Sequence, residues 1–372
     1  MSLRLIPPIA VPFDADDLRA ARRSNDEDRF DRRLSERFGF PQVEFHSSGR
    51  AALASLIQRW IEPQRSTIAV PAYTCWSVAA SVVRAGARVR LVDVDPESLD
   101  ILPQSLDVAL TDDVAMVIGT HLFSRTVNID ELTRRAHERG IRVVDDAAQA
   151  LPVGKTPADA ALFSFGRGKP IALGGGGAVL HRESTTAAEP PQSHGSFGLA
   201  ATLRLADPRW FRIPQSLPFL GIGKTVYDPN FTLDGAPDRW QRRLGERQWE
   251  RLEQTAQQRA ALAVRFAARI KAPWAVPALD SMKAGPLRLP LLAPDRGRRD
   301  HFMQAMRRHG VAVSKMYPST LAEIEALKPH LDGSTDCPGA EALAARLVTV
   351  PTYPSMSEAD AARVERALES CL

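Results

Sequence analysis

The sequence predicts an α/β protein with a mostly parallel central sheet flanked by helices, followed by a smaller α+β domain. Between about residues 45 and 182, short apolar runs alternate with segments of helical spacing, which is typical of βα units. A shorter alternation runs from about residue 285 to 372. A chain of 372 residues is long enough for two domains. We expect a large domain over residues 1–240, and a connecting helix and smaller domain over residues 241–372.

Six strands and three helices are predicted in the large domain. The strands are expected at residues 67–70, 89–93, 114–118, 142–145, 160–165 and 178–180. The helices are expected at residues 50–60, 76–84 and 129–139. The third helix has the clearest bounds, because Asn128 can cap its start, Glu131 stands at the capping-box position and Gly140 follows its end.

The second half of the chain is predicted to be less regular. Residues 183–218 are rich in Pro, Ser and Thr and are predicted to be irregular. Residues 239–270 form a charged helical pattern, predicted to be one connecting helix that packs along one side. The smaller domain is expected to hold strands at residues 288–292 and 311–314, and helices at residues 299–309 and after Ser357.

The composition excludes several classes of protein. The 48 Lys and Arg residues exceed the 44 Asp and Glu residues by only four, which does not indicate nucleic acid as a partner. The three cysteines, Cys75, Cys337 and Cys371, are too far apart to suggest a disulfide framework or a structural zinc site, and a cytoplasmic location is expected. No apolar run approaches the roughly 18 residues of a membrane-spanning helix. Three prolines interrupt the N-terminal apolar segment, which does not resemble a signal peptide.

The glycine-rich segments do not match the common nucleotide-binding loops. The Gly-Lys step at residues 168–169 is followed by Pro170 where a P-loop needs Ser or Thr. The glycine run 174–177 leads to Val179 where the dinucleotide-binding fingerprint needs a third glycine. Kinase, ATPase and NAD-dependent activities therefore lose their usual support. By itself the run 174–177 is most simply a flexible turn.

Two features carry polar groups at positions suited to binding a ligand. Ser48 and Gly49 precede a helix-forming run, and free amides at a helix N-terminus bind anions, although an ordinary N-cap serine is the simpler interpretation. Asp145 and Asp146 follow an apolar strand, at the edge where parallel sheets bind ligands. Because adjacent side chains point to opposite faces of a strand, one aspartate can reach the crevice while the other faces away. A strand-terminal Asp that caps the next turn is an equal alternative.

A lysine on a glycine-flanked loop is the third chemical feature. Lys169 follows five residues after Ser164, which stands near the end of a predicted strand. A lysine whose pKa is depressed can bond covalently to a carbonyl cofactor. Most lysines are only solvated, so Lys169 is a weak candidate when it is considered alone.

In order along the chain, these features resemble one family, the sugar aminotransferases of the DegT/DnrJ/EryC1/StrS group. The resemblance covers roughly residues 40–372. Its segments are SGRAAL at 48–53, VPAYT at 70–74, GARVRLVDVDPESLDI at 86–101, HLF at 121–123, VVDDAAQA at 143–150, FSFGRGK at 163–169, GGGGAV at 174–179, MYP at 316–318 and CPGAEALAARLVTVPTYPSMSEAD at 337–360. The family implies the fold of fold-type-I enzymes, which depend on pyridoxal 5'-phosphate (PLP).

The resemblance implies an activity, partners and residue roles. The expected reaction transfers an amino group from an amino acid, by family habit glutamate, to a keto sugar, nucleotide-linked, in polysaccharide or secondary-metabolite biosynthesis. A homodimer with the site at its interface is implied. Lys169 matches the lysine that binds the cofactor aldehyde, and Asp146 the carboxylate paired with the pyridinium nitrogen. Gln149 matches the residue near the ring hydroxyl. The phosphate cradle is implied to consist of Ser164 and the amides of Gly49, Arg50 and Ala51.

Two positions near the expected cofactor depart from the family pattern. Arg50 stands where the family usually has threonine, and its guanidinium could add a charge-assisted contact to the phosphate. Cys75 stands where the family has an aromatic residue that stacks on the cofactor ring. A cysteine cannot stack, so Trp76 or Tyr73 would have to substitute.

Further departures concern the neighbouring subunit and the acceptor. The asparagine that the family donates across the interface to the phosphate has Asn230 or Asp234 as its counterpart, and a histidine expected after Tyr317-Pro318 is missing. Related sugar dehydratases carry histidine in place of the lysine, so Lys169 argues against that activity. A non-sugar ketone or aldehyde as the acceptor and a non-catalytic regulatory protein are the alternatives that remain.

Overall fold

A large sheet with one mixed edge forms the body of the protein. The computed structural model describes residues 4–24, 27, 29–124, 127–150, 154–183, 198–200, 203, 207–209, 211, 226–278 and 285–372. The predicted irregular segment 183–218 lies mostly outside these residues. Among the described helices, no helix is both long enough and apolar enough to cross a membrane.

Eight strands pair in the large sheet and two pair in a separate small sheet. The strands are β1 (Gln42–His46), β2 (Thr67–Pro71), β3 (Arg88–Val92), β4 (Val114–Thr120), β5 (Arg142–Asp146), β6 (Ala160–Ser164), β7 (Gly177–His181), β8 (Arg288–Leu292), β9 (Leu331–Asp332) and β10 (Leu347–Pro351). The large sheet has the order β1-β7-β6-β5-β4-β2-β3-β9, and β8 pairs with β10. Strands β2 to β6 and β9 pair in parallel, whereas β7 is antiparallel to both of its neighbours. The prediction of a mostly parallel sheet is confirmed.

Helices cover both faces of the large sheet and one face of the small one. They are α1 (Ala15–Arg23), α2 (Phe30–Phe38), α3 (Gly49–Trp60), α4 (Trp76–Arg84), α5 (Pro103–Ala109), α6 (Ile129–His137), α7 (Arg239–Trp249), α8 (Leu252–Ala267), α9 (Arg296–Arg308), α10 (Pro338–Arg346) and α11 (Glu358–Cys371), with short 3-10 turns at Leu122–Ser124 and Glu325–His330. Alternate residues of β6 face the two layers, since Leu162 packs with α3 residues such as Leu53, and Phe163 with α2 residues such as Phe38. Each such fully buried side chain contributes about 1.5–3 kcal/mol.

The predicted strands and helices of the large domain are confirmed with bounds shifted by at most two residues. In α6 the Glu131 amide donates to Asn128 Oδ1 at 3.2 Å, and Gly140 adopts φ +64° just beyond the end. Three elements at the N-terminus were not predicted, namely α1, α2 and β1. Strand β1 lies at the sheet edge and is mostly half-buried, so it has no continuous apolar run to reveal it.

Two predictions for the second half of the chain were wrong. The connecting helix is interrupted at Arg251, whose φ of −109° and ψ of 6° are not helical. The resulting helices pack on different partners, α7 on α1 and α2, and α8 on β8 and α11. No strand forms at residues 311–314. There Val311 pairs with Ile6, and Ser314 pairs with Thr349. Because these two partners belong to different segments, each pairing is a single isolated bridge and not a continuous ladder.

The N-terminal and C-terminal parts of the chain are joined by direct contacts. Ile6 pairs with Val311, and the Arg4 guanidinium donates to Asp360 Oδ1 at 2.9 Å. Strand β9, from the C-terminal third, extends the edge of the large sheet beside β3. The division into residues 1–240 and 241–372 stays a prediction.

Candidate active site

A cavity of about 240 Å³ lies where the parallel strands end. Residues at or just beyond the ends of five strands line it: Ser48, Cys75, Thr120, Asp146 and Ser164. This is the edge at which open α/β sheets bind ligands. Lys169 from the loop after β6, and Tyr317 from the C-terminal third, complete the polar part of the lining.

Seven of the nine predicted site residues line this one cavity. They are Gly49, Arg50, Cys75, Asp146, Gln149, Ser164 and Lys169. Ala51 and Trp76 are not part of the lining. The amide of Ala51 donates to the Ser48 side chain at 3.2 Å, so Ser48 acts as the N-cap of α3. The Trp76 side chain packs against the large core cluster.

The N-terminus of α3 approaches the strand ends as closely as glycine permits. A Cβ on Gly49 would lie 2.9 Å from the Cβ of Ser164. A Cβ on Gly177 would lie 2.4 Å from the amide nitrogen of Gly49. The start of α3 and the Ser164 hydroxyl therefore form one wall of the cavity, and a helix N-terminus favours an anion there.

Arg50 covers the outer side of this wall. Its guanidinium lies 3.9 Å from Asp228 and stacks over the Phe231 ring at 4.5 Å. The segment that holds Asn230 and Asp234 is therefore close to Arg50, although neither of these two side chains lines the cavity. Both are exposed. The backbone amide of Asn230 donates to Asp228 Oδ1, and the Asp234 carboxylate accepts from the Thr232 hydroxyl.

The side chains of Asp145 and Asp146 point to opposite faces of β5, as the alternation along a strand predicts. Asp146 lines the cavity and accepts from the Ala148 amide at 3.0 Å. Asp145 lies outside the lining, where its Oδ1 contacts Nε2 of the buried His121 at 2.5 Å. Burial raises the pKa of the Asp146 carboxyl, and the opposing charge of Lys169 counteracts that rise. A cationic partner for Asp146 would restore the charged form of the carboxyl.

The amine of Lys169 is desolvated beside this carboxyl. Burial lowers the pKa of Lys169, Cys75 and Asp146 oppose that shift, and the nearby Arg288 guanidinium lowers the pKa further. A lowered pKa increases the fraction of neutral amine, the form that attacks a carbonyl. Lys169 therefore combines the position and the electrostatics that a cofactor-binding lysine needs.

Two buried glutamines of α7 fix the loop that carries Lys169. Gln248 exchanges two hydrogen bonds with the backbone of Ala172, at 2.9 and 3.0 Å. Gln241 donates to the Leu173 carbonyl at 2.9 Å. Sequence reasoning missed this function of α7, because a glutamine in a charged helix looks solvated until its tertiary partner is known.

An aromatic side chain from the C-terminal third closes the cavity. The Tyr317 hydroxyl accepts from Gln149 Nε2 at 3.0 Å, and the Tyr73 and Tyr317 rings meet edge to face at 5.5 Å. Burial raises the pKa of Tyr317 well above its ordinary value, so its hydroxyl keeps a proton to donate. Tyr73 is itself buried outside the lining, with its hydroxyl within 3.3 Å of the Tyr317 carbonyl. Neither Tyr73 nor Trp76 lines the cavity, and among the residues that the structure describes Tyr317 is the one aromatic lining residue.

The donor set of the cavity fits PLP. It offers an amine of depressed pKa, a buried carboxyl and a helix N-terminus with a neighbouring hydroxyl. These correspond to the aldehyde, the ring nitrogen and the phosphate of the cofactor. The close approach at Gly49 leaves this end of the cavity open to an anion instead of filling it with a side chain.

A comparison with protein families settles the group to which the chain belongs. A family model described as the DegT/DnrJ/EryC1/StrS aminotransferase family matches residues 18–369. The chain belongs to the DegT/DnrJ/EryC1/StrS aminotransferase family. This confirms the family predicted from the sequence, whose members are aminotransferases that use PLP as their cofactor.

The chain matches only part of the length of two curated relatives. Protein MosB of Rhizobium meliloti is 36% identical over 165 residues, which are 42% of this chain and 32% of MosB. The L-glutamine:2-deoxy-scyllo-inosose aminotransferase of Streptomyces fradiae is 30% identical over 168 residues, which are 43% of this chain and 39% of that protein. The chain thus spans between about a third and two fifths of the length of these relatives.

The fold is shared with a solved structure over nearly the whole chain. A sugar aminotransferase of Streptococcus pneumoniae, solved in its PLP form, superposes with a TM-score of 0.76 over 98% of both chains at 18% identity. At that identity the likeness shows the fold. The predicted fold class, the α/β fold of fold-type-I PLP enzymes, is confirmed.

Proposed function

We propose that this protein is a PLP-dependent aminotransferase that moves an amino group from an α-amino acid to a ketone of a sugar. The observation that carries the proposal is the convergence of Lys169, Asp146 and the N-terminus of α3 on one cavity. Following the family resemblance, glutamate is the proposed donor and a nucleotide-linked keto sugar the proposed acceptor. A homodimer with the site at its interface, Asn230 or Asp234 as a cross-subunit phosphate contact, and a cytoplasmic location belong to the same proposal.

The proposed mechanism assigns each cavity residue a separate task. PLP supplies a carbonyl for the amine and an electron-accepting ring. Lys169 holds the cofactor through its aldehyde carbon and, once an amino donor has replaced it, moves a proton on and off the substrate carbon with its freed Nζ. Asp146 keeps the ring nitrogen protonated. Ser164 and the start of α3 hold the phosphate, which fixes the ring against both groups.

The surroundings of these residues keep water from the reacting groups. Asp146 is only 4% exposed and Gln149 only 5%. The Tyr317 hydroxyl, already bound to Gln149, retains a proton that it can donate to an oxygen in the cavity. In such a site electrostatic contacts are stronger than in water.

A carbocyclic ketone is the second candidate acceptor. One relative is named for an inosose, a keto-cyclitol, as its acceptor and L-glutamine as its donor. This observation favours the non-sugar alternative among those that the sequence left open. The aminotransferase reaction and the roles of Lys169 and Asp146 are the same in both cases.

Separate half-reactions test the proposal. PLP-loaded protein is mixed with L-glutamate or L-glutamine, and the loss of the cofactor's visible absorbance is recorded. The aminated enzyme is then offered keto sugar nucleotides or keto-cyclitols, and the product is identified by mass. We expect one amino acid to bleach the absorbance and one acceptor class to restore it. A protein that binds no PLP, or whose absorbance no amino acid changes, would contradict the proposal.

A further inference from the structure

A second cavity lies apart from the proposed active site. It encloses about 670 Å³, within the roughly 300–1,000 Å³ that is typical of small-molecule pockets, and the two cavities share no described lining residue. Its lining comes mainly from the N-terminal segment with the start of α1, from residues 207–209, and from the loop between β10 and α11. We call it the N-terminal cleft, and its lining includes Arg4, Val11, Phe13, Asp207, Tyr353 and Asp360.

A buried hydroxyl group without a partner faces this cleft. Tyr353 follows β10 and is only 5% exposed, and within the described parts of the chain its hydroxyl has no hydrogen-bond partner. The charges of Arg4, Asp207 and Asp360 act on this hydroxyl, and all three residues line the cleft. The hydroxyl end of the Tyr353 ring therefore points to the cleft and not into the core.

This hydroxyl is available as a hydrogen-bond donor. Burial raises the pKa of Tyr353 above its ordinary value, so the hydroxyl keeps its proton at neutral pH. A buried polar group that is left unpaired is costly, and native proteins rarely leave one without a partner. A ligand oxygen that accepts from Tyr353 in the cleft removes this cost.

The charged residues that line the cleft are already engaged. The Arg4 guanidinium donates to Asp360 Oδ1 at 2.9 Å, and Arg209 lies 3.4 Å from Asp207. The third lining carboxylate, that of Asp14, caps the start of α1. Because three carboxylates stand against two guanidiniums, the cleft does not attract an anion such as a phosphate. A protonated amine would have to compete with the guanidiniums or the helix cap for a carboxylate.

The remaining lining suits an uncharged ring that carries several hydroxyl groups. Val11 and Phe13 supply apolar surface, and Ser355 and Tyr353 supply hydroxyls. Sugars and cyclitols combine apolar C–H faces with hydroxyls that both donate and accept hydrogen bonds. They match a lining of apolar surface with a few polar groups, and they bring no charge that needs a partner.

We propose that the N-terminal cleft is a second binding site, which takes an uncharged sugar or cyclitol and holds it through a hydrogen bond from the Tyr353 hydroxyl. Lys169 and Asp146 do not line this cleft, so the site binds its ligand without reacting with it. The inference does not depend on the proposed function, because binding at the cleft can be measured whether or not the protein takes up PLP.

Two matched substitutions test the site. Tyr353→Phe removes the hydroxyl and keeps the ring. Tyr227→Phe is the control, because the Tyr227 hydroxyl is also buried without a partner among the described residues, and Tyr227 does not line the cleft. Binding of D-glucose, N-acetyl-D-glucosamine and myo-inositol to the unmodified protein and to both variants is measured by NMR titration. Glucose 6-phosphate and glucosamine serve as the anionic and cationic counterparts.

We expect at least one neutral compound to bind the unmodified protein, and both charged compounds to bind more weakly. Tyr353→Phe should weaken the binding by about three- to tenfold, which is the effect of losing one hydrogen bond, and Tyr227→Phe should leave it unchanged. Without ligand, Tyr353→Phe should not lower the midpoint of thermal unfolding, because the hydroxyl has no partner to lose among the described residues.

Four results would overturn the proposal. They are no binding of any neutral compound, equal affinity of the unmodified protein and Tyr353→Phe, tighter binding of a charged compound, and a lowered thermal midpoint in Tyr353→Phe. The last result would mean that the hydroxyl already has a partner. None of them bears on PLP uptake or on the half-reactions, which decide the proposed function separately.

Discussion

At the scale of single residues, the two adjacent aspartates show how one step along a strand separates two functions. Asp146 faces the cavity with Lys169, and Asp145 faces the buried His121. The sequence predicted this divergence, because side chains alternate along a strand. It could not predict which aspartate faces which way without the family resemblance, since the register of β5 depends on its neighbours in the sheet.

The first prediction compares substitutions of these two aspartates, so that each variant is the control for the other. Asp146→Asn removes the charge that is proposed to keep the cofactor ring protonated, so the donor half-reaction should slow by about 10²–10³-fold. Asp145→Asn should instead lower the free energy of unfolding by about 1–3 kcal/mol, because it weakens a buried contact with His121. Stopped-flow absorbance and urea denaturation measure the two effects. Equal rate losses in both variants would contradict the assignment.

The pH dependence of PLP uptake is the second prediction. Only the neutral amine of Lys169 attacks an aldehyde, and burial lowers its pKa below the ordinary 10.5. The rate of uptake by cofactor-free protein should therefore rise with pH through a midpoint below 10.5. Asp146 opposes the lowering, so Asp146→Asn should move the midpoint to a lower pH. An unchanged midpoint in this variant would mean that the two groups do not interact, and an upward shift would contradict the proposed sign of their interaction.

At the scale of elements, α7 supports the catalytic loop from behind. Its Gln248 and Gln241 hydrogen bond to the backbone of Ala172 and Leu173, a few residues after Lys169. Both glutamines are buried, although the rest of the helix is highly charged. The charged pattern of this segment predicted only a connector along one side of the protein. Its contacts with the loop that follows Lys169 show that α7 also supports that loop.

The third prediction concerns this support. Gln248→Ala removes both hydrogen bonds to Ala172 and leaves buried backbone groups without partners. We expect the free energy of unfolding to fall by about 1–3 kcal/mol. We also expect PLP to dissociate faster, because Lys169 is held less firmly. The exposed Gln254→Ala, on the neighbouring α8, is the control and should change neither quantity. Unaltered PLP retention in Gln248→Ala would show that the loop holds its position without α7.

The sequence predicted an element well where the residues that determine its bounds lie within it or next to it in the chain. The bounds of α6 follow from its cap and its terminal glycine, both of which lie within the element. The predicted strand at residues 311–314 failed because its pairing depends on Ile6 and Thr349, far away in the chain. The single helix predicted over residues 239–270 failed for a related reason, since its two halves pack on different elements.

At the scale of the whole molecule, the site is assembled from distant parts of the chain. Asp146 ends a strand of the large sheet and Lys169 lies on the loop after another, whereas Tyr317 comes from the C-terminal third. The family motifs identified the first pair from sequence. They did not identify Tyr317 as a lining residue, although its segment was recognised, because its position depends on the packing of that segment against Tyr73.

Covalent binding of the cofactor by Lys169 is the step on which the proposed function depends most. The most direct measurement is to load the protein with PLP, reduce it with borohydride, digest it and locate the modified residue by mass spectrometry. We predict a single modified site at Lys169, absent from Lys169→Ala and retained in the control Lys155→Ala, whose lysine is exposed. Modification of another lysine, or none at all in the unmodified protein, would contradict the account.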